Sequence, residues 1–258
     1  MNIIAHIQTP PQIFKKIKIM KVDANSTFEN SSIYRLSELK PAGVKLILDP
    51  KTDLVELLKL TLFDLTLKKV LVIKKMFKKP HPRDPYLREY TIVETGENFE
   101  KYNPNQYEKY FTRRIDKDSY VQLKPYLRAI CKEVETESQH KNEIIQNLEI
   151  LDLFKRDFFL VFFSIFKTNQ KGNKLKIAIS EYLKDIDRNI ANLIEHDPEK
   201  SLKLIMFLQG NIFLLKNLKF ELIEKLKLVS TAHTTKDKQY FDDWYWFDFM
   251  CDFDFNID

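Results

Sequence analysis

Glycine is nearly missing from this chain, with four in 258 residues. Few positions can therefore take a positive φ without strain, and a glycine-rich phosphate loop or dinucleotide fingerprint cannot be built. Cysteine is almost as scarce. Cys131 and Cys251 form neither a CxxC motif nor a framework of bridges, so a reducing, cytoplasmic setting is expected. The longest apolar run, FFLVFFSIF at 158–166, holds nine residues. A membrane span needs about twenty, so this run is expected inside a core, and the chain is expected to be soluble or at most to sit on a membrane surface. The N-terminus MNIIAHIQTPPQIFKK lacks the charged-then-apolar order of a signal peptide. The histidines (His6, His81, His140, His196 and His233) show no HExxH or other metal-ligand spacing, and there is no G-x-S-x-G element. The acids Asp185/Asp187 and Glu195/Asp197 fall where helix surfaces and caps would put them. A non-enzymatic protein without metal or cofactor is the expectation.

What the chain does have is helical periodicity, twenty phenylalanines and 44% hydrophobic residues, enough for a sizeable core. The pattern predicts a mainly α fold, a helical core with a winged-helix-like β-hairpin, built as two halves that echo each other. Residues 1–32 read as a basic arm (Lys15, Lys16, Lys18, Lys21) and linker, 33–134 as the winged-helix-like half, 142–229 as a helical second half, and 230–258 as a tether with an acidic-aromatic tail.

The organising stretch is 53–96. Leu54, Leu57, Leu58, Leu62 and Leu65 recur at helical spacing toward Val70, with a start signal at Asp49-Pro50 or at Thr52 with Glu56. A short strand Val70–Ile73 is expected next. PHPRDP (80–85) then forces a turn, and a second strand runs from Arg88 to Val93 before Gly96. Lys68, Lys69, Lys74, Lys75, Lys78, Lys79, Arg83 and Arg88 are opposed only by Asp84 within 68–88, a net +7. Charge this dense suits an anionic partner. It also suits a solvated edge that keeps an exposed hairpin from pairing with other chains.

Elsewhere, Pro41 and Gly43 point to a turn within 36–48, and helices are expected near 106–115 and 117–134, with Lys124-Pro125 as a kink. The segment 135–141 is the expected boundary between halves. A helix at 142–154 ends near Leu151, and 155–168 is aromatic and β-prone. A polar turn at 169–173 leads into a helix at 174–195 with Leu175, Ile179, Leu183, Ile186 and Ile190 on one face. Asp197-Pro198-Glu199 opens a further helix reaching about 209–211 and continuing over 212–228. The last eighteen residues carry six Asp, no basic residue, both tryptophans and five phenylalanines. Such a tail is expected to dock on the basic hairpin or to recruit a partner through Trp244, Trp246 and Phe247.

The leucine helix LLKLTLFDLTLKKVL feeding a hairpin resembles the Golgi-phosphoprotein family of phosphoinositide-binding peripheral proteins. EIIQNLEILDLFKRDFFLVFFSIFKTN and the helices after it fall in a similar order, so the resemblance spans about 36–228. It implies a helical fold and a peripheral, lipid-binding role. That family's headgroup pocket uses a Trp with arginines. Both tryptophans here stand in the tail, so no pocket residue carries over.

Three readings follow. The first is a cytoplasmic binding or adaptor protein whose eight basic residues engage an anionic surface, preferably phospholipid on the inner membrane face. The second is a winged-helix nucleic-acid binder with Leu54–Lys69 near a groove. The third is an assembly subunit using its tail, with homo-oligomers left open.

Overall fold

The computed structural model describes residues 36, 39–117, 119–155 and 165–216. The basic arm and linker, residues 158–164 of the apolar run, the helical continuation past Lys216, the tether and the acidic-aromatic tail lie outside the described residues, and Ile165 near the end of that run is exposed rather than in the expected core. The fold is mainly α with one small sheet. Helices α1 (Pro41–Leu48) and α2 (Leu54–Leu67) lead into strands β1 (Leu71–Lys78) and β2 (Arg88–Thr95). A 3-10 turn, Gln106–Glu108, runs into α3 (Lys109–Thr112). Strand β3 (Tyr120–Gln122), α4 (Leu123–Glu133), α5 (Glu137–Asn147), α6 (Gln170–His196) and α7 (Pro198–Leu208) follow, and a 3-10 stretch, Gln209–Leu214, closes the described part.

No residue of α2 is exposed. A mostly apolar helix with so little exposure belongs in a core, and α1, β1 and the 209–214 stretch pack around it. Its polar side chains are satisfied internally: Thr61 and Thr66 donate to the carbonyls of Leu57 and Leu62. The helix starts at neither site read from the sequence. Asp53 is the cap, accepting from the Glu56 amide at 2.8 Å, while the Thr52 hydroxyl turns back to the Asp49 carbonyl. At the other end Val70 N–H bonds to Leu65 O and Lys69 N–H to Thr66 O, the paired bonds of a Schellman stop. The left-handed residue that this stop requires is Lys69, at φ 53.

That stop aims β1 away from the helix. Gly96 closes the hairpin at its base, donating to Val70 O at 2.8 Å. A Cβ there would lie 2.1 Å from the Lys69 carbonyl oxygen, so only glycine permits this backbone approach. Both strands are longer than their apolar cores suggest. They pair antiparallel from Leu71↔Thr95 to Lys78↔Arg88, so Lys74, Lys75 and Lys78 belong to the ladder rather than to a loop. β3 pairs with β2 over Ile92–Glu94, completing the order β1-β2-β3. It occupies a segment whose sequence reads as helix.

Pro41 is the first residue of α1, where its missing N–H costs nothing, and Gly43 lies buried inside that helix against Leu148. The expected turn is thus helix. Pro125 stands in the first turn of α4, so no kink arises. Asn169 caps α6 by accepting from the Gly172 amide, which starts that helix at Gln170 instead of 174. Asp197 caps α7 through the Lys200 amide at 3.0 Å, as its Asp-Pro-Glu signature predicts. Leu175, Ile179, Leu183, Ile186 and Ile190 form the buried stripe of α6. One hydrophobic cluster joins Leu36 and α1 to α6 and Leu215. The segment expected to separate two halves instead opens α5, with His140 fully buried.

Candidate anionic-surface site on the β1–β2 hairpin

The hairpin has a dry base and an open tip, because its strands outrun the body. Side chains alternate between faces along a strand. On one face Leu71, Ile73 and Val93 enter the core, while Lys75, Phe77 and Glu89 further out are exposed. On the other face Met76, Tyr90 and Ile92, with Lys78, Tyr120 and Gln122, line a cleft of about 150 Å³.

Strand register rearranges the charge. Lys74 Nζ lies 2.5 Å from a Glu94 oxygen and Lys75 Nζ 2.9 Å from Glu89. Arg88 pairs with Asp84 at 3.2 Å, and Lys69 with Glu97 at 3.5 Å. Lys68 reaches back one turn to Asp64, which is buried, at 2.5 Å. The sequence window 68–88 stops before Glu89, Glu94 and Glu97, which the hairpin folds back onto its own lysines. Over 68–97 the eight cations meet four carboxylates, leaving +4 in place of +7. Lys68 and Lys69, with side chains 28% and 16% exposed, are shielded at the base and leave the candidate surface.

What remains concentrates at the tip. Neither Lys79 nor Arg83 makes an ion pair among the described residues. Lys78 donates to the Tyr120 hydroxyl at 3.0 Å and stands 5.8 Å from the ring centre, contacts that raise its pKa and keep it cationic. Asp84 organises the turn between the strands. Its amide donates to His81 O at 2.9 Å, its carboxylate accepts from the Tyr86 amide at 2.9 Å, and the same carboxylate holds Arg88. With Pro80, Pro82 and Pro85 restricting φ, this turn presents Tyr86 (74% exposed) and Leu87 (61%) to solvent, and Phe77 (64%) is exposed near the end of β1. The apolar part of the site was missed in the sequence, where Phe77 and Tyr86-Leu87 fall between the two expected strands, at 70–73 and 88–93. The signal available was the three prolines between Phe77 and Tyr86, which exclude helix there and mark a turn.

A second group of polar residues is buried. Glu108, wholly buried, accepts from Lys40 at 2.5 Å, from the Tyr102 hydroxyl at 3.0 and 3.1 Å, and from the Asn105 amide at 2.8 Å. Burial lowers the Lys40 pKa, with Glu108 opposing the shift. Burial first and Glu108 second push Tyr102 and Tyr107 far upward, so both phenols stay protonated. Glu108 is buried and Lys40 only partly exposed, at 21% of its side chain. The group fastens the start of α1 to the 106–112 turn, as a satisfied buried pair does. Asn105-x-x-Glu108, a capping-box spacing, was its legible trace. His140 is also buried, between the Tyr107 and Tyr110 rings, and burial holds its pKa down to about 4. No group of three or more potential metal ligands occurs among the described residues. Cys131 is half-buried and free, its thiol pKa raised by burial. His81 is exposed in the tip, and His196 contacts Asn192 O near the end of α6.

No family model, curated protein or solved structure matches the chain. Among the described residues no helix is long and apolar enough to cross a membrane.

Proposed function

We propose that this is a non-enzymatic peripheral binding protein whose β1–β2 tip engages an anionic phospholipid surface, on the cytoplasmic face of a membrane. One observation carries the reading: exposed Phe77, Tyr86 and Leu87 crown the same turn as Lys79 and Arg83, which have no ion pair among the described residues. Aromatic and aliphatic side chains suit the boundary between headgroups and acyl chains, while lysine and arginine meet anionic headgroups. Each cation near such a surface contributes about 1 kcal/mol, and anionic lipid is enriched in the cytoplasmic leaflet. The three cations Lys78, Lys79 and Arg83 together with the apolar trio are enough for reversible attachment.

The nucleic-acid reading keeps only its phosphate contacts. The helix expected to enter a groove, α2, has no exposed residue, so that helix cannot read base edges.

The test is co-sedimentation of the full chain with neutral phosphatidylcholine vesicles and with vesicles containing phosphatidylserine, alongside random duplex DNA over a salt series. Binding to the acidic vesicles is expected, with loss on Lys79→Glu/Arg83→Glu and separately on Phe77→Ser/Leu87→Ser. Insensitivity to the apolar pair, with DNA binding that falls steeply with salt, would transfer the hairpin to nucleic acid.

A further inference from the structure

The hairpin tip is matched, feature for feature, by the far end of the same chain. Residues 241–258 hold six Asp, no Lys or Arg, five Phe and both tryptophans. On the body, six large apolar side chains are exposed among the described residues, and four of them, Phe77, Tyr86, Leu87 and Tyr120, sit on the hairpin or on the strand beside it. The same tip holds Lys79 and Arg83, which make no ion pair among the described residues, whereas Lys78 and Tyr120 lie together on the sheet face opposite Phe77. Aromatic anchors in the tail therefore meet an apolar socket, and its acids meet the cations that the strand register leaves over.

We infer that residues 241–258 dock on the β1–β2 tip of their own chain, with Trp244, Trp246 and Phe247 against Phe77, Tyr86 and Leu87 and the aspartates facing Lys79 and Arg83. Geometry permits it. The described chain ends at Lys216, just past the 209–214 stretch, which packs on α2 with Phe213 and Phe63 rings 5.0 Å apart. α2 runs directly into β1, and eight strand residues rise about 26 Å. The twenty-four residues 217–240 span up to about 80 Å when extended, well beyond the distance to be crossed. Rigid aromatic side chains give contact at low entropic cost, and opposite charge sets the register. A docked tail covers the surface assigned above to lipid and so competes with it. The inference uses the same tip as the membrane reading, but its test contains no lipid, so either can fail without the other.

Because both tryptophans lie in the tail, intrinsic tryptophan emission of the full-length protein reports on this segment alone. In low salt the emission is expected to be blue-shifted and shielded from iodide. Lys79→Glu/Arg83→Glu and, separately, Phe77→Ser/Leu87→Ser should shift it to the red and raise iodide quenching several-fold. Added salt should do the same to the wild-type chain by screening the charges. A control, Lys174→Glu/Lys184→Glu, makes the same charge change on exposed positions of α6 and should leave emission as it is. The wild-type signal should not depend on protein concentration. Unchanged emission in both tip variants, an equal response in the α6 control, or a signal that appears only as concentration rises would each overturn intramolecular docking.

Discussion

Lys74 and Glu94, twenty residues apart in the chain, meet at 2.5 Å across β1 and β2. They are diagonal neighbours on one sheet face, since Lys74 is paired in register with Ile92. With the Lys75–Glu89 pair, this contact divides the lysines of the hairpin into two classes. Lys74 and Lys75 within β1 are compensated by carboxylates, whereas Lys78 at its end and Lys79 and Arg83 beyond it make no ion pair among the described residues. The electrostatic attraction of the hairpin is therefore local to its last turn.

That division can be measured. Lys79→Gln/Arg83→Gln should weaken binding to phosphatidylserine vesicles by about tenfold or more, if each cation contributes about 1 kcal/mol. Lys74→Gln/Lys75→Gln should weaken it much less, because each removes a cation already matched by an acid. Melting of both variants should stay within about 0.5 kcal/mol of wild type in stability. Equal losses of binding from the two pairs would mean that the whole strand, rather than its tip, makes the contact.

Leu65→Ala should cost about 2–5 kcal/mol in urea unfolding, through the cavity it leaves. Leu65 is wholly inaccessible in the buried second half of α2, where Leu60 to Thr66 are all buried, so the site cannot collapse into solvent. A loss below about 1 kcal/mol would show that the packing around α2 is looser than described.

Lys69→Gly should stabilise the fold by about 1 kcal/mol. Lys69 holds φ 53 at the end of α2, where a residue with a Cβ is strained by about that amount and glycine is not. Its ion pair with Glu97 is 3.5 Å long and the carboxylate is 49% exposed, so losing that pair offsets only part of the gain. A destabilised variant in equilibrium unfolding would instead show that the lysine side chain matters more than the backbone it strains.

His140 should make stability fall in mild acid. Burial depresses its folded-state pKa to about 4, below the ordinary value of 6.5. Between those values the unfolded chain binds the proton and the folded one does not. The stability is therefore complete above about pH 6.5 and is lost as pH falls toward 4. Glu143, 3.9 Å from Nδ1, is the acid nearest the ring, while Tyr107 and Tyr110 pack against it. Between pH 7 and 5 the histidine alone should remove about 2 kcal/mol. His140→Phe, of similar size and unable to titrate, should flatten that difference. If the drop is the same in both proteins, another group causes it.

The sequence alone settled what depends on near neighbours. The amphipathic stripe of α6, the Asp197 cap, the leucines of α2 and the turn at the prolines all follow from spacing and from local hydrogen-bond and steric preferences, which act over a few residues. It did not reveal strand ends or β3, because Lys74, Lys75 and Lys78 enter the ladder through pairing with β2, and Tyr120–Gln122 becomes a strand only because Ile92–Glu94 offers it an edge. The Asp53 start of α2 was missed for a simpler reason: several capping residues stand within five positions and only one of them meets the first free amide. Charge was the quantity most altered by folding. A sum along the chain treats Lys74 and Glu94 as remote, whereas Coulomb attraction depends on distance in space, and only the tertiary register brings those acids onto the lysines and leaves Lys79 and Arg83 alone beside Phe77, Tyr86 and Leu87.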